Sequence, residues 1–63
     1  ETIIAVSKIE LIMTNRTMSE LELADKLNIA TERVIKLVNN ETIATQEELK
    51  QLNVFIDQNQ QYL

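Results

Sequence analysis

Neither glycine nor proline occurs anywhere in this 63-residue sequence. A small β-rich domain reverses its chain through tight hairpins, and those turns draw on glycine for positive φ. With both residues missing, 44% hydrophobic side chains and only Phe55 and Tyr62 as aromatics, the expected fold class is all-α. At this length a chain buries roughly 60% of its unfolded surface, so residues 1–63 are read as a single small domain. Cysteine and histidine are also absent. That excludes disulfide staples, Cys/His metal sites and nucleophile–imidazole catalysis.

The apolar periodicity places four helices. Residues 2–15 carry Ala5, Val6, Ile9, Ile12 and Met13 on one stripe, with Ile3, Ile4 and Leu11 left over. Ser19-Glu20-Leu21-Glu22 reads as a Ser-x-x-Glu capping box, with Met18 as the preceding apolar staple, so a second helix is expected over 19–27. Its inward residues are Leu23, Ala24 and Leu27. Asn28 stands where a helix end takes a left-handed residue, the conformation asparagine tolerates best after glycine. Ile29 then reads as a buried turn residue. A third helix over 31–38 turns Val34, Leu37 and Val38 inward and presents Thr31, Glu32, Ile35 and Lys36 outward, with Arg33 at the flank. It closes at Asn39-Asn40, again with positive φ expected.

Thr42-Ile43-Ala44 reads as a loop with one apolar plug. A second capping box, Thr45-Gln46-Glu47-Glu48, opens the last helix over 46–60, whose core positions are Leu49, Leu52, Phe55 and Ile56. The amide-rich run from Asp57 to Gln61 is expected to fray, unless Tyr62 and Leu63 fold back.

Ten acidic against six basic side chains give a net charge of −4. Residues 1–16 and 29–41 are each neutral, while 17–28 and 42–63 each carry −2. No segment is basic, which argues against a strong nonspecific hold on phosphates. The longest apolar run, Ile3 to Val6, is too short for a membrane span. The paired carboxylates (Glu20 with Glu22, Glu47 with Glu48) belong to helix starts, and neither Ser7 nor Ser19 has a base to activate it, so no enzyme, metal or cofactor is expected.

A helix of about nine residues, a short turn with a left-handed residue and a second helix form the geometry of a major-groove reader. Ser19-Glu20-Leu21-Glu22-Leu23-Ala24-Asp25-Lys26-Leu27-Asn28-Ile29 resembles the Ser-Gln-x-x-Leu-Ala-x-Lys-Leu-Gly-Val stretch of the lambda repressor/Cro-like (Xre-type) helix–turn–helix family. Leu23 to Leu27 is its most specific piece. The likeness continues through Val34, Leu37, Asn39-Asn40, the Thr45 cap, and Leu49, Leu52 and Ile56. Ile9 and Ile12 fit the family's first helix.

The resemblance implies a compact domain of four to five helices and a sequence-specific DNA-binding transcriptional regulator of phage or plasmid type, a repressor or Cro-like protein. It implies a cytoplasmic protein bound to double-stranded DNA at a palindromic operator, acting as a homodimer or as part of a larger repressor. Thr31, Glu32, Ile35 and Lys36 would meet base edges. Ser19, Glu20, Arg33, Asn39 and Asn40 complete the expected DNA-binding set; Ser19, Arg33 and Asn39 fall toward the backbone. The departures matter. Glu20 replaces a glutamine that would face a phosphate, which makes that contact repulsive. Met13 replaces a basic residue late in the first helix. Glu20, Ile35 and the −4 charge support an alternative from another class: a protein-binding or oligomerisation domain, antirepressor-like, that keeps the fold without DNA binding.

Overall fold

The computed structural model describes residues 2–63, and within them the chain is all-helical. α1 (Thr2–Arg16), α2 (Glu20–Leu27), α3 (Thr31–Val38) and α4 (Gln46–Gln58) are followed by a 3₁₀ turn, Gln60–Tyr62. No helix among the described residues is long and apolar enough to cross a membrane.

Two of the helices start as the sequence requires. At α2 the Ser19 hydroxyl accepts from the Glu22 N–H at 3.2 Å, and the Glu22 carboxylate accepts from the Ser19 N–H at 3.2 Å. At α4 the Thr45 hydroxyl accepts from the Glu48 N–H at 3.1 Å, and the Glu48 carboxylate accepts from the Thr45 N–H at 2.9 Å. Each pair satisfies two backbone donors that the first turn leaves without partners.

Three of the helices end in one device. Met18 N–H bonds to Met13 C=O and Thr17 N–H to Thr14 C=O. The same six-to-one and five-to-two pattern recurs as Ile29 to Ala24 with Asn28 to Asp25, and as Glu41 to Lys36 with Asn40 to Leu37. The residue that reverses each helix is left-handed: Thr17 (φ 54°), Asn28 (φ 59°) and Asn40 (φ 59°). The chain thus closes three helices without glycine. The two asparagines stand where the sequence places them. Thr17 is a β-branched residue in a conformation its type seldom takes.

Helices this short gain most of their stability from packing. Ala5, Ile9 and Ile12 of α1 meet Leu23, Ala24 and Leu27 of α2, Val34 of α3, and Leu52, Phe55 and Ile56 of α4 in one core. Val6 and Leu37 are buried as well. Met13, Met18, Ile29, Val38, Ala44 and Leu49 line its edge, half-buried. Val38, Ile29 and Leu49 are therefore less enclosed than expected, because each sits where its helix or turn meets the edge of the core.

Two expectations need correction. Ile43 is no plug: it is 78% exposed, and the smaller Ala44 turns inward in its place. Nor does the amide-rich end fray. α4 stops at Gln58, two residues short of the expected limit, and the chain folds back. Asn59 is only 5% exposed; its side-chain N–H donates to Phe55 C=O at 2.8 Å, and its oxygen accepts from Arg16 at 2.6 Å. Arg16 also lies 5.3 Å from the Tyr62 ring centre, and Asn15 donates to the Tyr62 carbonyl. One buried amide with both ends satisfied anchors the end of the run to Phe55 and Arg16.

Candidate nucleic-acid interface

Only Asn28, Ile29 and Ala30 separate α2 from α3. The left-handed Asn28 turns the chain, and Ile29 packs inward to fix the turn to the core. Val34 and Leu37 pin α3 from within, and this orientation leaves Glu32, Ile35 and Lys36 exposed on its outer side. Ile35 keeps 41% of its surface in solvent. Thr31, expected outward with Glu32, Ile35 and Lys36, is instead half-buried, because the first residue of α3 lies beside Leu21, Asp25 and Asn28 of the facing helix and turn. Ala30 precedes it and offers no side-chain cap.

Ser19, Glu20 and Asn39 come together. They border an open groove of about 580 Å³ whose walls include Glu10, Met13 and Val38. Ser19 is already engaged within its cap, since its hydroxyl lies 3.3 Å from the Glu22 carboxylate as well as accepting the Glu22 N–H. Glu20 stands exposed in the first turn of α2 with no such commitment among the described residues. Asn39 and Asn40 are exposed where α3 closes.

Arg33 is placed differently from its neighbours. Its Nε and Nη2 donate to the two oxygens of Glu48 at 2.8 and 2.6 Å, and Nη1 donates to the Thr42 hydroxyl at 3.3 Å. This bidentate pair is the one salt bridge among the described residues. The Arg33 hydrogen bonds pull the Glu48 carboxyl down to about 2; partial burial opposes them, and the Thr45 N–H reinforces them. Arg33 is raised in turn, chiefly by its bond to Glu48. Sequence reasoning did not pair these two residues. Fifteen positions separate them, and no local spacing rule joins the third residue of one helix to the third residue of the next.

The outer side of α3 therefore offers an acceptor (Glu32), an apolar tip (Ile35) and a cation (Lys36) in little more than one turn. Its surroundings are acidic, since α2 carries Glu20, Glu22 and Asp25 against Lys26. No protein-family model, curated protein or solved structure matches the chain.

Proposed function

We propose that this chain is a helix–turn–helix DNA-binding domain of a transcriptional regulator, with α3 as the helix laid in a major groove. The observation that carries the reading is the α2–Asn28–α3 unit. It leaves Glu32, Ile35 and Lys36 outward on α3 and brings Ser19, Glu20 and Asn39 to one groove. Lys36 suits guanine O6 and N7, Glu32 the cytosine amino group and Ile35 a thymine methyl. With few free cations on this side, backbone contact rests on helix N-termini and amide side chains, and the salt dependence should be shallow. In its finer form, which the family resemblance motivates, the protein is a cytoplasmic repressor or Cro-like regulator of phage or plasmid type. It acts as a homodimer, or within a larger repressor, on a palindromic operator.

Selection from random duplex DNA tests this directly. An enriched motif supports the reading and gives the half-site spacing; failure to bind any duplex at low salt sinks it. On a selected duplex, Lys36→Ala should weaken binding by about 1–3 kcal/mol and relax one base position. Glu20→Gln should tighten it by about 0.5–1.5 kcal/mol, because it removes a carboxylate from beside a phosphate.

The exposed Ile35 and Leu21 favour a second reading, a domain that binds protein. In that case Ile35→Glu dissolves a complex with a partner or with itself, and neither Lys36→Ala nor Glu20→Gln affects any duplex.

A further inference from the structure

Arg33 belongs to the helix that would meet the groove, yet its guanidinium reaches into the junction between α3 and α4. Two segments, α4 and the 39–45 stretch, converge on it. It grips Glu48 of α4 with two nitrogens, donates to Thr42, and lies 3.5 Å from the Ile43 carbonyl. Elsewhere α3 rests on α2 and α1, and its backbone hardly approaches α4. Residues 39–45, which join the two helices, contain no helix of their own. The pair therefore ties α3 to α4 at the surface, across a stretch held otherwise by Ala44, which packs on the core and donates its N–H to the Thr2 hydroxyl at 3.3 Å. Glu48 is well chosen as the anchor because its carboxylate is itself fixed by the Thr45 N–H at 2.9 Å.

We propose that Arg33 is a positioning residue rather than a phosphate ligand: with Glu48 it sets the pose of α3 and of the 39–45 segment on the face offered to DNA. A phosphate reaching Arg33 would have to displace a two-point carboxylate contact. It would also strand a Glu48 side chain that is only 12% exposed. Lysine cannot substitute, because a single ammonium does not reproduce the planar fork. The inference rests on α3 being the recognition helix, but its structural half does not depend on DNA.

The test compares Arg33→Gln with Glu48→Gln, the latter keeping the reach-back to Thr45 that glutamine also makes in a capping box. Positioning requires both changes to act in the same direction. Each should weaken a selected duplex roughly three- to tenfold and leave the salt slope within about half a charge of the parent. Each should also speed amide exchange across 40–45 while the α1 core stays protected, and Arg33→Lys should behave like Arg33→Gln. A phosphate ligand gives opposite signs: Arg33→Gln loses about one charge from the slope, while Glu48→Gln frees the guanidinium and tightens binding. That outcome overturns the proposal, as does unchanged exchange at 40–45 in both variants. If the parent binds no duplex, faster exchange in both variants still supports the tie between α3 and α4, and the DNA reading alone falls.

Discussion

Met18-Ser19-Glu20-Leu21-Glu22-Leu23 and Ala44-Thr45-Gln46-Glu47-Glu48-Leu49 follow one template: an apolar residue, a hydroxyl cap, a glutamate three positions on and a leucine after it. Their backbones agree closely, with cap angles of −87°, 166° at Ser19 and −69°, 167° at Thr45. Their surroundings do not. At α2 the leucine is buried in the core while Glu22 serves only its own cap. At α4 the leucine is half-buried while Glu48 has captured an arginine from another helix. Local chemistry starts both helices, and long-range contacts decide what each start supports.

The largest effect should fall on the leucines. Leu23→Ala should cost about 2–5 kcal/mol through lost burial plus a cavity, and Leu49→Ala about 1–2 kcal/mol because solvent can fill part of the gap. A domain of this size has little more stability than the first figure to lose. Denaturant melts showing equal costs would break the contrast.

The glutamates should reverse the order. Glu22→Gln preserves its box and should change stability by less than about 0.5 kcal/mol, whereas Glu48→Gln removes the ion pair and should melt measurably lower. Acid sharpens the point. The Glu48 carboxyl is lowered from its ordinary 4.5 to about 2, so the folded state binds its proton less readily than the unfolded chain. Its contribution is complete above about pH 4.5 and is lost as pH falls toward 2. Glu48→Gln should flatten that part of the stability–pH curve, and Glu22→Gln should leave it intact.

A stabilising change should be found where the chain enters α2. Thr17→Asn should stabilise by about 0.5–1 kcal/mol, because asparagine tolerates φ near 54° better than a β-branched residue does. Thermal melts that drop instead would show the threonine methyl to be engaged.

Helix starts were legible because a capping box is a four-residue pattern, and the α2 and α3 ends were legible because asparagine advertises a left-handed turn. Thr17 performs the same closure with a residue type that advertises nothing, so it escaped notice. Asn59 escaped because an amide among amides looks solvated until a core forms beneath it. Ile43 misled because hydrophobicity alone does not tell which of two neighbouring apolar residues a loop turns inward. Of the candidate interface, the outward set Glu32, Ile35 and Lys36 followed from the period of α3. The commitment of Arg33 to Glu48 did not, since that contact exists only once α3 and α4 are both placed.

The returning C-terminus has a kinetic side. Its ties to α1 join residues 43 and 47 positions apart, whereas the α2–α3 unit closes within about twenty residues. Loops that long form slowly and late, so the tail should act mainly after the rate-limiting step of folding. Contacts made late govern escape from the native state more than entry to it. Asn59→Ala should therefore raise the unfolding rate while leaving the refolding rate close to that of the parent, making the last five residues a brake on opening.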